Sequence, residues 1–239
     1  MSRRPKRTQR WATAATWPLG IVLTSWDYTW RTTPMHRRET VGRSAERHGV
    51  ALPDGVSGED VQGQERGYGP VFHRRYRTRI RNPRMTAEQL MTAIKADVNR
   101  PAPTSFARFQ KVVGQEGAMA VGDEYVVRMP GPWDGPVRVI DLTARSFRLA
   151  TLEGHLEAGQ IEFRVSPGAE HALRFEIESW ARSSDWRSNL LYHHVRMAKE
   201  VQLHMWISFL EGVVALSGGR MTGGVDIDTR RTDAAYDGR

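Results

Sequence analysis

The chain has 239 residues, of which 39% are hydrophobic and 26% are charged, and its net charge at pH 7 is +8. This composition is typical of a globular protein, and the length allows one large domain or two small ones. Because the chain has no cysteine, disulfides, zinc–cysteine sites and thiol nucleophiles are excluded, and a reducing cytoplasm is compatible with the composition.

The first 40 residues form a basic, tryptophan-rich arm. Residues 1–48 hold ten Lys or Arg against three Asp or Glu, and the run from Trp11 to Trp26 has no charged side chain. This run is shorter than the ~20 residues of a spanning helix, and a packed arm or a cleaved signal sequence are alternatives. We predict a helix over 11–30 that leaves the domain in the cytoplasm and contacts a membrane through four tryptophans that suit the headgroup level, Trp11, Trp17, Trp26 and Trp30.

A linker and a basic strand follow the arm. Residues 41–69 are rich in Gly, Ser and acidic residues, which indicates a linker before a domain at 70–216. Within 71–81, Phe72, Tyr76 and Ile80 share one face of a strand whose other face is basic. The arginines fit an outer face or a protected sheet edge, with anionic lipid as the alternative; nucleic acid is not an expected partner because 85–239 is near neutral. They are Arg74, Arg75, Arg77, Arg79, Arg81 and Arg84.

The rest of the domain reads as a helix, a series of strands and a second helix. Residues 86–98 begin with a capping box and carry one apolar stripe, which predicts a helix. Alternation and turn residues predict strands over 106–113, 123–129, 136–142, 146–152, 160–165 and 173–179. Residues 186–216 form a long helix whose apolar face Gln202 interrupts, and the polar tail 217–239 is predicted to be disordered.

This order predicts an α+β fold in which a curved antiparallel sheet wraps around a long C-terminal helix. The motif "TLEGHLEAGQIEFRV" (151–165) and the following "LRFEIESWAR" (173–182) resemble a bacterial and plant family of unknown function within the START-like (SRPBCC) superfamily. The resemblance covers about residues 68–216, and its most particular piece is the Gly154-His155-x-Glu157-x-Gly159 core. It implies a helix-grip fold, which often encloses a cavity between sheet and helix, and it implies no established reaction.

The segment "TLEGHLEAG" (151–159) carries the titratable candidates of the domain, His155 and Glu157. In an extended chain they share one side, so they are candidates for an acid/base pair, with Glu157 raising the histidine pKa. A metal site would need more ligands, such as Glu200 or His204 from the last helix, and we expect no metal or other cofactor. The alternative that we favour is a bend at the sheet edge, in which a glycine adopts unusual angles and both side chains bond local backbone.

Three functions remain open from the sequence. The leading hypothesis is a module that binds an apolar small molecule or lipid between sheet and helix. The alternatives are a cavity enzyme of cyclase or isomerase type that uses His155 and Glu157, and a structural domain with a filled core; the chain has no nucleophile elbow, phosphate-binding loop or dinucleotide fingerprint. The predicted ligand-binding wall consists of Tyr125, Ile161, Phe163, Phe175 and Met205.

Overall fold

The computed structural model describes residues 33–42, 51–104, 107–129, 134–184 and 196–232. These residues form a mixed α+β fold with one large curved sheet of nine strands and two α-helices, which confirms the predicted class. The helices are α1 (Ala87–Ala96) and α2 (Arg196–Ser217). The strands are β1 (Met35–Gly42), β2 (Tyr68–Arg81), β3 (Arg108–Val113), β4 (Glu124–Arg128), β5 (Asp134–Thr143), β6 (Ser146–Thr151), β7 (Glu157–Pro167), β8 (Leu173–Ser183) and β9 (Arg220–Thr232).

The strand order is β1-β9-β2-β8-β7-β6-β5-β4-β3. All neighbours are antiparallel except β1 and β9, which run parallel. The basic strand β2 therefore lies between β9 and β8, and the interpretation of it as a sheet edge is wrong. Strand β2 pairs with β8 on one side and with β9 on the other. Strand β9 was not predicted from the sequence.

Local sequence signals account for α1. The side chain of Thr86 accepts a hydrogen bond from the amide of Gln89, and the Gln89 side chain accepts one from the amide of Thr86, which completes the capping box. Leu90, Met91 and Ile94 are buried on one side of the helix, in the main hydrophobic core. The predicted helix at 86–98 is thus present, with its last two residues outside it.

Helix α2 packs on the same face of the sheet, which we call the inner face. Trp206 and Phe209 contact the ring of Phe163 on β7, with centroid distances of 5.6 and 5.3 Å, and Phe209 also lies 6.4 Å from Phe175 on β8. The helix was predicted over 186–216; residues 185–195 lie outside the described part of the chain. It is not the last element, because β9 follows it.

The predicted disordered tail is wrong for residues 220–232, the predicted arm is wrong for 35–40, and the predicted linker is wrong for 41–42, because these residues form strands. Strand β9 runs antiparallel to β2, and Val225 and Ile227 are buried in the core. Strand β1 lies beside β9 at the sheet edge and is mostly exposed. The error has a physical reason: β9 has few apolar residues and gains its place through backbone pairing with segments distant in sequence.

Residues 51–67 were predicted to be a linker, but they pack on the opposite, outer face of the sheet. Val61 pairs with Leu152 and, with Leu52 and Val56, covers Ile140, Ala150 and Leu152 in a small second core. A 3-10 turn, Gln64–Arg66, follows. We call residues 51–67 the outer segment.

The predicted membrane-contacting helix at 11–30 lies outside the described residues. Within the described ranges, neither α-helix combines the length and the hydropathy that crossing a bilayer requires.

Candidate functional site

The segment 151–159 comprises the end of β6, the turn between β6 and β7, and the first residues of β7. Gly154 has a φ of +95°, which confirms that a glycine carries an unusual backbone angle here. The turn lies at the end of two interior strands, so its predicted position at the edge of the sheet is wrong. From the outer segment, the Gln62 side chain donates hydrogen bonds to the carbonyl oxygens of His155 (2.9 Å) and Glu157 (2.8 Å) and so holds the turn.

The imidazole of His155 bonds the local backbone rather than the carboxylate of Glu157. Its Nδ1 atom lies 2.9 Å from the amide nitrogen and 3.1 Å from the carbonyl oxygen of Glu157, so the ring bonds the Glu157 backbone. Burial lowers the pKa of His155 below its ordinary value, although the negative charge of Glu157 opposes this shift. The predicted rise of the histidine pKa is therefore wrong, because the carboxylate points elsewhere and desolvation dominates.

The carboxylate of Glu157 belongs to a group on the inner face that we call the polar cluster: Arg74, Glu157 and Gln202. Gln202 of α2 accepts a hydrogen bond from Arg74 (3.0 Å) and donates one to Glu157 (3.1 Å). The Arg74 guanidinium also lies 3.6 Å from the carboxylate and 4.7 Å from the centre of the Phe72 ring. The cluster thus joins β2, β7 and α2 through one ion pair and two hydrogen bonds.

Arg74 is the residue that the sequence analysis assigned to the wrong face. It is 6% exposed and lies on the inner side with Tyr76, Thr78 and Ile80. The alternation of the strand indicates the inner face for Arg74, because Phe72, Tyr76 and Ile80 are also at even-numbered positions. Gln202 was recognised as an interruption of the apolar stripe of α2, and the polar cluster explains it.

Next to the polar cluster, the inner face carries the small side chain of Ser179 and the larger side chains of Ile161 and Phe163. Ser179 of β8 lies between Arg74 of β2 and Ile161 of β7 in the register of the sheet. Ile161 keeps part of its surface exposed, whereas Phe163, two residues further along the same face, is fully buried. On this face, solvent therefore reaches part of the Ile161 side chain but not Phe163.

All five predicted wall residues belong to the main hydrophobic core or pack against it: Tyr125, Ile161, Phe163, Phe175 and Met205. Tyr125 also faces inward, but it lies on β4, three strands from β7, or about 14 Å away at the usual strand spacing. There the ammonium group of Lys111 lies 5.6 Å from the centre of its ring. All five stay predictions as ligand contacts.

The outer face carries a network of ion pairs. Glu178 of β8 contacts His73 (2.7 Å), Arg75 (2.5 Å) and Arg164 (2.9 Å), and Arg77 pairs with Asp228 of β9. Burial opposes the ionisation of Glu178, but hydrogen bonds from His73 and Arg75 outweigh it and lower the pKa of Glu178 to about 2. Arginines of β2 thus form ion pairs with neighbouring strands of the sheet. This supports their interpretation as an outer face over their interpretation as a lipid-binding surface.

A cleft of about 410 Å³ lies between the outer segment and β7, on the side away from α2. It is lined mostly by small or polar residues, and it lies outside the predicted site. Its lining residues are Ala51, Leu52, Gly58, Val61, Gly63, Gln64, Glu65, Arg66, Gly159 and Gln160.

In the part of the chain that the structure describes, no group of three or more His, Asp or Glu side chains is placed so that it could bind a metal ion. His193, His194 and the side chain of Glu200 lie outside it.

Comparisons with solved structures return distant matches. A hypothetical protein from Helicobacter pylori is 10% identical with a TM-score of 0.46, over 60% of this chain and 86% of its own. Norcoclaurine synthase from Thalictrum flavum, solved with dopamine and hydroxybenzaldehyde, is 11% identical with a TM-score of 0.45, over 70% and 94%. A conserved protein from Geobacillus kaustophilus is 10% identical with a TM-score of 0.42, over 62% and 98%. Such low identities and TM-scores carry no argument about function.

No curated protein matches the chain in sequence. One family does match, over residues 59–209, a range that includes the turn at 151–159, Arg74 and most of the inner face. The match confirms the prediction of a family of unknown function and begins nine residues earlier than predicted, inside the outer segment. The chain belongs to the family described as a domain of unknown function (DUF1990).

Proposed function

We propose that this protein is a helix-grip, START-like domain that binds an apolar small molecule or lipid between the inner face of its sheet and α2. The observation that carries the proposal is the partial exposure of Ile161. This side chain lies on an interior strand and faces the helix-covered side, where Phe163 and Val165 are fully buried. An accessible apolar side chain at such a position fits a ligand site better than a filled core.

The surroundings of Ile161 suit a mostly apolar ligand with a polar end. Phe163 and Trp206 form an edge-to-face aromatic pair on one side, with ring centroids 5.6 Å apart. The polar cluster lies on the other side, and Ser179 separates Arg74 from Ile161 in the sheet register. A few fixed polar groups beside apolar walls are the usual composition of a small-molecule site.

Binding is the favoured function because the two proposed acid/base residues do not act as a pair in the described geometry. The Nδ1 atom of His155 is bound to the Glu157 amide, and the carboxylate contacts Arg74 and Gln202. Neither group takes a proton from the other in this arrangement. The turn is an architectural element that delivers Glu157 to the polar cluster.

A fluorescent probe tests the proposal. The neutral apolar dye N-phenyl-naphthylamine should bind the wild-type protein with increased fluorescence. Ile161→Trp should fill the accessible space and weaken binding at least about tenfold, which corresponds to ~1.4 kcal/mol. Ser166→Trp, on the opposite face of the same strand, is the matched control and should bind the dye as the wild type does.

Two results would contradict the proposal. The first is a wild-type protein that does not bind the dye. The second is an Ile161→Trp protein that melts and binds the dye as the wild type does, because the dye would then occupy another location such as the outer cleft.

A further inference from the structure

Trp206 of α2 is a buried side chain with a hydrogen-bond donor. The side chain is 6% exposed. Its indole Nε1–H is buried and meets no hydrogen-bond acceptor among the residues that the structure describes. A buried donor without an acceptor costs about 1–3 kcal/mol, so such a group calls for a partner outside the protein itself.

The position of Trp206 relates this donor to the proposed ligand site. It lies one helical turn after Gln202, so both residues face the same side of α2. Gln202 contacts the polar cluster, and the Trp206 ring contacts Phe163, which follows Ile161 on the inner face. Trp206 therefore lies on the side of α2 that carries Gln202, and it packs against the ring that follows Ile161 on the inner face.

The charges of the site restrict the ligand further. Arg74 and Glu157 lie 3.6 Å apart and are linked through Gln202. A carboxylate or an ammonium group brought to this site would bring a further charge into a largely buried place, which is costly. A neutral oxygen acceptor adds no charge and suits a single N–H donor.

We propose that the ligand is a neutral molecule with an apolar body and one hydrogen-bond-accepting oxygen, such as a ketone or an ester, and that the Trp206 indole N–H binds this oxygen. The inference rests on the proposed function, since it names the class of ligand for the same site. It assigns Trp206 the role of a specificity-determining residue.

Competition against the fluorescent dye tests this inference with four probes of equal chain length. They are a medium-chain methyl ketone, the alkene in which a methylene group replaces the carbonyl oxygen, the fatty acid, and the primary amine. Each is measured on the wild type and on Trp206→Phe, which removes the N–H and keeps an aromatic ring. The alkene reports any change in packing, so the ketone-to-alkene affinity ratio isolates the hydrogen bond.

We expect this ratio to fall about 2–10-fold in Trp206→Phe, the range of one neutral hydrogen bond. The fatty acid and the amine should bind the wild type more weakly than the ketone does. An unchanged ratio, or tighter binding of either charged probe, overturns the inference and leaves the proposed function standing. Failure of the dye and all four probes to bind would instead contradict the proposed function.

Nuclear magnetic resonance on the wild type gives a second measurement that does not depend on the folding of the variant. The ketone should move the Trp206 indole N–H resonance downfield more than the alkene does, because a new hydrogen bond deshields the proton. Equal shifts with both probes would overturn the inference.

Discussion

Glu178 shows how a single carboxylate can stabilise the outer face of the sheet. It is buried, and it accepts hydrogen bonds from His73, Arg75 and Arg164. Burial opposes the ionisation of Glu178, but His73 and Arg75 hold its pKa at about 2, below the ordinary 4.5. A carboxyl whose pKa is depressed in the folded state contributes stability above its unfolded pKa and loses it as the pH falls through the folded pKa.

The ion pairs of Glu178 should make the stability of the protein depend on pH. Between about pH 5 and about pH 2, the free energy of unfolding should fall less steeply for Glu178→Gln than for the wild type, by on the order of 3 kcal/mol. Urea denaturation across this range measures it. Glu170→Gln, at an exposed carboxyl that pairs with Arg81 at 3.5 Å, is the control and should follow the wild type. Parallel pH profiles for Glu178→Gln and the wild type would show that Glu178 has no such role.

Gly154, in the turn before β7, and Gly159, near the start of β7, should respond differently to substitution. A Cβ atom at Gly159 would overlap the carbonyl oxygen of Trp180 and lie 2.7 Å from the Cα of Ala181, both on β8. A Cβ atom at Gly154 meets nothing within 4 Å, so the φ of +95° is the main cost there. We expect Gly159→Ala to lower the free energy of unfolding by about 3 kcal/mol and Gly154→Ala by about 1 kcal/mol.

Chemical denaturation of both glycine variants measures these losses in the free energy of unfolding. Equal losses would mean that β8 yields to the new methyl group and that the close approach of the strands does not fix the residue type at Gly159.

At the residue scale, the sequence could predict which side chains are unusual but only partly where they point. Alternation in β2 was sufficient to place Arg74 inside, yet an arginine in a row of arginines favoured the outer face. For His155 and Glu157, spacing alone placed both on one side. The turn geometry and the bonds from Gln62 separate them, and those depend on a segment about 90 residues earlier.

At the scale of elements, local patterns predicted α1 and strands β2 to β8, because capping residues, alternation and turn residues act within a few positions. Strands β1 and β9 and the outer segment were missed. Each has few apolar residues, and each is positioned by pairing or packing with distant parts of the chain. Local periodicity carries no signal for such contacts.

The position of β9 leads to a prediction about truncation. A chain that ends at Gly219 loses the strand between β1 and β2, together with Val225 and Ile227 of the core. We expect it to be unfolded or aggregated, since β2 would become an open edge. Of the described part of the chain, a protein that begins at residue 43 loses Thr33, Pro34 and the exposed edge strand β1, and it should keep a cooperative thermal transition. Circular dichroism and size-exclusion chromatography distinguish the two.

A cooperative, monomeric product from the chain that ends at Gly219 would show that β9 is dispensable. The domain would then fold without β9, as the prediction of a disordered tail at 217–239 implied.

At the scale of the whole molecule, the two faces of the sheet have different tasks. The outer face holds ion pairs and the outer segment, and so supports the sheet. The inner face holds the aromatic core, the polar cluster and the accessible side chain of Ile161. A ligand between sheet and α2 would contact both the apolar and the polar part of this face.

Native mass spectrometry of the protein as purified tests the central claim most directly. If the space beside Ile161 binds a small molecule, the wild-type protein should carry a noncovalent adduct that collisional activation removes. The Ile161→Trp protein should lack this adduct, and Ser166→Trp should retain it. A wild-type spectrum with the mass of the bare chain alone, or an adduct that persists unchanged in Ile161→Trp, would contradict the claim that the inner face is a ligand site.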